Sequence, residues 1–131
     1  MMSSRGTVAA NGHVTTNEYT TSKMVHDAKV LTGNDGRHGL PDYSHSPNSK
    51  YIKENKDGSF RELRDYDDKG HPIIEIGYHP EPNLTGNRHE RVLHLHTFKD
   101  NLDRVMGGKL SPTEHADIYE KYKKYLEGYG L

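Results

Sequence analysis

The run Phe60-Arg61-Glu62-Leu63-Arg64-Asp65-Tyr66, Asp67-Asp68-Lys69-Gly70, His71-Pro72-Ile73-Ile74-Glu75-Ile76-Gly77-Tyr78 is a hairpin written out in sequence. Asp-Asp-Lys-Gly is turn chemistry, and Ile73, Ile74 and Ile76 supply the β-branched bulk that suits a pleated, half-buried surface. On the N-terminal side, Tyr51-Ile52-Lys53-Glu54 reads as another strand, joined to the hairpin by Asn55-Lys56-Asp57-Gly58, a strong turn signal. On the C-terminal side, Pro80, Pro82, Asn83 and Gly86 make a loop, and Arg91 to Phe98 reads as a fourth strand. The pattern predicts a four-stranded antiparallel sheet at about residues 50–98.

Two helices are expected after it. Residues 101–106 read as a short one ended by Gly107-Gly108. The second, 112–127, opens on Ser111-Pro112-Thr113-Glu114, which combines an N-cap serine, proline at N1 and glutamate at N3. Ile118, Tyr119, Tyr122, Tyr125 and Leu126 form its apolar stripe, and Gly128 closes it. Upstream, Met24, Val25, Ala28 and Leu31 fit a short N-terminal helix near 22–31, with Ser22 as N-cap and Gly33 as terminator. Residues 33–49 carry loop chemistry. The expected fold class is α+β: the sheet, the C-terminal helix packed on one face, and the short N-terminal helix. The expected organisation is a flexible N-terminal arm over 1–46 and a small α+β domain over 47–131.

Composition narrows the function classes. The 131 residues are 31% hydrophobic, and none of them is cysteine, which excludes a disulfide scaffold and thiolate-ligated zinc. No window approaches the roughly 18 apolar residues of a membrane span. Residues 1–11 lack the apolar core of a secretory signal. These absences do not fix the compartment; the expected site of action is cytoplasmic, with delivery or secretion without a classical signal as a further expectation. Lys plus Arg (18) balances Asp plus Glu (19), which disfavours a globally basic nucleic-acid binder but allows a local basic face. Histidine is the outlier, with ten copies.

Alternation assigns faces. Closing the 67–70 loop symmetrically puts Leu63 opposite Ile74 and Arg61 opposite Ile76. Leu63, Ile74, Ile76, Tyr78, Leu93, Leu95 and Ile52 then form the core face. The opposite face collects Tyr51, Lys53, Glu62, Arg64, Tyr66, His71, Glu75, His94 and His96. A polar face of this kind is also what a solvated antiparallel sheet presents.

Three readings of the histidines follow. The first is metal-independent RNA cleavage, which needs a base, an acid and a cation for the developing phosphate charge; His94 and His96, about 7 Å apart on one strand face, can serve as the pair. Arg64 or Lys53 would supply the cation. Tyr51, Tyr66, Glu62 and His71 are the further substrate-binding candidates. The second is zinc or another divalent metal on His94 and His96, completed by His79 or His89. The HExxH pattern of zincins is absent. The third is a non-catalytic module that docks a protein through the stripe Tyr119, Tyr122, Tyr125 and Tyr129, unless that stripe simply packs on its own sheet.

The stretch from 47 to 98 also resembles a known group. Pro47-Asn48-Ser49, Arg64-Asp65-Tyr66-Asp67-Asp68-Lys69-Gly70, Ile74-Glu75-Ile76 with a histidine soon after, and His94-Leu95-His96 are similar to C-terminal toxin-like domains of bacterial polymorphic toxins and phage head-morphogenesis proteins. Those domains are in turn similar to the barnase–EndoU–colicin–RelE superfamily of small, metal-independent ribonucleases. The resemblance implies a ribonuclease toxin acting on RNA without a cofactor, in bacterial competition. It implies His94, His96 and His79 as catalytic residues and Arg64 as the phosphate-contacting cation. An immunity protein or a phage structural protein is the implied partner.

Overall fold

The 67–70 turn closes through the Asp67 side chain, whose Oδ1 accepts the backbone N–H of Lys69 and His71 at 2.9 Å each. In the computed structural model, which describes residues 7–8, 14–15, 19–33 and 39–131, this turn joins β6 (Phe60–Tyr66) to β7 (Pro72–Pro80). The register pairs Leu63 with Ile76 and Arg64 with Glu75. It is shifted by two residues from the symmetric closure: Tyr66 pairs with Pro72 instead of His71, and a bulge between Asp65 and Tyr66 adds the second residue. Side chains alternate with a period of two, so beyond the bulge the shift leaves Leu63, Ile74 and Ile76 on the core face and Arg64 and Glu75 on the other.

β5 (Lys50–Glu54) pairs antiparallel with β6, and β8 (Arg91–Phe98) pairs antiparallel with β7. The expected four strands are therefore present, but the expected four-stranded sheet is not the fold. They form the middle of a seven-stranded mixed sheet among the described residues. One added pair is the hairpin of β3 (Tyr19–Val25) and β4 (Ala28–Gly33), which occupies the segment expected to be the N-terminal helix. β4 lies parallel to β5, with Val30 beside Ile52. The reason for the misreading is burial on both faces: Ala28 and Val30 enter the main core while Leu31 joins Leu40, Tyr51 and Tyr66 on the other side. Such a strand shows no alternation, and its apolar spacing imitates a helix.

The third added strand is β9 (Arg104–Lys109), where a short helix was expected. Gly107 and Gly108 do not end a helix. A Cβ on Gly107 would stand 2.4 Å from Leu95 Cδ1, so glycine there lets β9 close against β8, where the pairing carries a bulge. Two further strands, β1 (Thr7–Val8) and β2 (Val14–Thr15), pair with each other in a separate small sheet. Of the flexible arm expected over residues 1–46, positions 1–6, 9–13, 16–18 and 34–38 lie outside the described residues.

A short helix, α1 (Pro82–Thr85), sits in the β7–β8 connection, and α2 (Ala116–Glu127) ends the chain. The Ser111 cap bond forms, with its Oγ accepting Glu114 N–H at 2.9 Å, but it closes a turn of its own and α2 starts four residues later than expected. Tyr122, Tyr125 and Leu126 pack on Ile52, Leu63, Ile76 and Leu95. Their hydroxyls reach across: Tyr122 donates to Asp65 at 2.5 Å, Tyr125 to Asp27, and Tyr129 to Glu54 at 2.7 Å. The tyrosine stripe thus packs on its own sheet. No helix among the described residues is long and apolar enough to cross a membrane.

Candidate histidine site

The register sets the polar face out in cross-strand rows. Tyr51, Arg64, Glu75 and His96 lie in one row; Lys53, Glu62, Gly77 and His94 lie in the next, with Lys109 beside His94. Seven of the nine residues expected on this face lie in these rows, and their surroundings differ.

On β5 and β6 the face is sealed. The segment running through Leu40 and Pro41 crosses it, and Arg64 Nη1 donates to the carbonyls of Leu40 (3.3 Å) and Pro41 (3.2 Å). Tyr66 donates its hydroxyl to the Pro41 carbonyl. Arg64 also grips Glu75 Oε2 through Nε (3.0 Å) and Nη2 (2.5 Å), while Arg104 donates to Glu75 Oε1 at 2.8 Å. Burial raises the Glu75 pKa, but the two guanidinium groups overcome it and hold the carboxyl below the usual range. For neighbouring Glu62 the balance is reversed: burial, and then the Glu75 charge, push its pKa up against the nearby arginines. Tyr51 stacks at a tilt on Tyr66, 5.1 Å between centroids, and its hydroxyl accepts the His45 N–H at 3.1 Å. Arg64, Tyr51 and Tyr66 are thus committed to internal partners. Lys53 lines a separate cavity with Ser22, Leu31 and Asn55, and His71 lies at the 67–70 turn, edge-on to Tyr43.

On β7 and β8 the face gathers histidines. The His94 ring is fully buried, at 0% exposure, with its Nδ1 2.8 Å from the Val92 carbonyl. A carbonyl oxygen only accepts, so Nδ1 carries the proton and Nε2 presents a lone pair. Among the described residues nothing hydrogen-bonds to that Nε2, nor to Nδ1 of His96. The His79 ring stands perpendicular to His94 at 4.6 Å between centroids, and its Nδ1 lies 3.2 Å from the Pro80 carbonyl. The His96 ring stands 5.3 Å from that of His94, also edge-on. Burial lowers the pKa of both His94 and His96, favouring neutral rings.

Gly77 makes this arrangement fit. It is the cross-strand neighbour of His94, and a Cβ there would stand 3.0 Å from His79 Nε2 and 3.2 Å from His94 Nε2. The two Nε2 atoms therefore converge over a position left free of a side chain. Glu81 closes the group: the ligand atoms of His79, Glu81 and His94 all lie within 4.8 Å of one another. His89 is exposed in the following loop and lies outside this group.

Glu81, Gly77 and Arg104 were not singled out in the sequence. An isolated glycine inside the third strand was the available signal for close approach at Gly77, and Glu81 two residues beyond His79 was a second. Arg104 was hidden by the expected helix. No family model, no curated protein and no solved structure matches the chain, so its own residues carry the functional reading.

Proposed function

We propose that the chain is a small toxin-type nuclease that cleaves RNA, with His79, His94 and His96 as its reactive centre. The observation that carries this reading is the buried, unpartnered Nε2 of His94, facing His79 across Gly77. An unmade hydrogen bond at a buried polar atom costs about 1–3 kcal/mol. Elsewhere on the same face Arg64, Tyr66 and Glu75 all find partners. A cost retained at one cluster is a mark of a site that awaits an occupant. Arg64, engaged by Glu75 and two carbonyls, acts here as a positioning residue, and Arg104 and Lys109 are the cations that neighbour the histidines. The resemblance of residues 47–98 to ribonuclease toxins supplies the substrate class.

The test is incubation of the purified chain with single-stranded RNA and, separately, with DNA of the same sequence. Cleavage of RNA that disappears in His94→Ala, His96→Ala is the expected result. A wild-type protein that cuts neither polymer, while giving a cooperative melt, overturns the reading.

A further inference from the structure

We infer that His79, Glu81 and His94 form a binding site for a divalent transition-metal ion of the zinc class. The inference takes from the proposed function only that this cluster is the working centre, and it says how the cluster works.

Four features of the geometry converge on it. The donor set is two imidazole nitrogens and one carboxylate, which suits zinc, and three protein ligands leave a fourth position open for water or a substrate oxygen. Both histidines have Nδ1 against a backbone carbonyl, at 2.8 Å for His94 and 3.2 Å for His79. Metal-bound histidines characteristically have this second contact, because it fixes the tautomer and aims the Nε2 lone pair. The aimed lone pairs converge over Gly77, where any larger residue would put a carbon 3.0–3.2 Å from both nitrogens. Finally, His94 Nε2 is sealed from solvent and has no hydrogen-bond partner among the described residues. A proton-transfer histidine has to touch its substrate, whereas a ligand nitrogen has only to reach the ion.

The spacing requires one adjustment. Tetrahedral ligands about 2.1 Å from an ion stand about 3.4 Å from each other, and the three ligand atoms here lie within 4.8 Å. His79 and Glu81 are only partly buried, at the end of β7 and the start of the loop, so side-chain rotation there closes the gap while His94 stays fixed. His96 is outside the ligand set, its ring 5.3 Å from that of His94.

Titration of the EDTA-treated, dialysed full chain with zinc chloride in a calorimeter tests the site. One ion per chain is expected, with binding at least roughly tenfold weaker in Glu81→Gln and His79→Asn, and unchanged in His89→Ala. Gly77→Ala, which puts a carbon 3.0–3.2 Å from both ligand nitrogens while leaving each ligand residue in place, should weaken binding too. Because His94→Ala empties a core position, the partly exposed His79 and Glu81 variants decide the matter. Zinc binding that is weak, multiple or equal in wild type and His79→Asn overturns the site. Cleavage assays with and without EDTA separate this inference from the nuclease reading. EDTA-resistant RNA cleavage by a chain that binds no zinc removes the metal and keeps the nuclease. Stoichiometric zinc on a chain that cuts no RNA keeps the metal site and removes the nuclease.

Discussion

The two halves of the polar sheet face each bury a charged or ring side chain, and they are differently furnished. On β5 and β6, Arg64 is 8% exposed, and its guanidinium is taken up by Glu75, Leu40 and Pro41. On β7 and β8, His94 is 0% exposed, and one of its nitrogens has no partner among the described residues. The strands are neighbours in one sheet, so backbone geometry does not cause the difference. The crossing segment does: its carbonyls close the first half, and no equivalent hydrogen bond reaches His94 Nε2 from the described residues. Polarity that is buried and satisfied contributes specificity to the fold. Polarity that is buried and left over, as at His94 Nε2, holds a lone pair ready for an occupant.

The largest expected effect lies in the histidine half. Removing groups that act directly in acid–base or ligand chemistry typically costs on the order of 10²–10⁴-fold in rate, so RNA cleavage by His94→Ala, His96→Ala should fall by that range in a gel assay of initial rates. The sealed half should answer differently. Arg64→Leu leaves the Glu75 carboxylate with Arg104 as its remaining cation, and losing one partner of a buried ion pair costs about 3–5 kcal/mol. Urea unfolding should show that loss, and any fall in cleavage should track the unfolded fraction. A phosphate-contacting Arg64 would instead lose cleavage in fully folded Arg64→Lys.

That contrast also marks what the sequence could tell. The assignment of side chains to faces was legible because it depends on a period of two, and a two-residue error in register leaves it intact. His94 and His96 were legible for the same reason, flanked by Leu93 and Leu95. The fate of Arg64 was not, because a segment more than twenty residues upstream in sequence supplies its carbonyl partners. β4 was misread because both of its faces are buried, and β9 because its paired glycines imitate a helix stop. Glu81 comes into the site only once β7 ends and the chain turns, a placement that alternation does not describe.

A change beneath both halves provides the common reference. Ile76 is fully buried, opposite Leu63 on one side and Leu95 on the other. Ile76→Ala should cost about 2–5 kcal/mol in urea unfolding. It should lower stability without altering the zinc affinity of the folded fraction, since the side chain lies on the face away from His94. An Ile76→Ala melt indistinguishable from wild type would mean the face assignment is inverted, and with it the division between the sealed and open halves.

The smallest expected effect lies at the edge of the same core, and it depends on pH. Tyr125 donates its hydroxyl to Asp27, and this bond, with the Lys50 charge nearby, holds the Asp27 carboxyl below its usual range although burial opposes it. A carboxylate whose folded pKa is depressed stabilises the fold fully above its unfolded pKa, near 3.9, and loses that contribution as pH falls toward the folded value. Tyr125→Phe keeps the ring and removes only the donor. At neutral pH it should cost well under about 1 kcal/mol, because the Asp27 side chain is 63% exposed and water competes for it. The gap between the two proteins should then narrow as pH drops from about 6 to about 3, since protonated Asp27 no longer draws on the bond to the same extent. Parallel urea titrations at those two pH values read the difference directly. A gap that widens on acidification would show that the phenol favours the protonated carboxyl, the reverse of the direction set by its hydrogen bond.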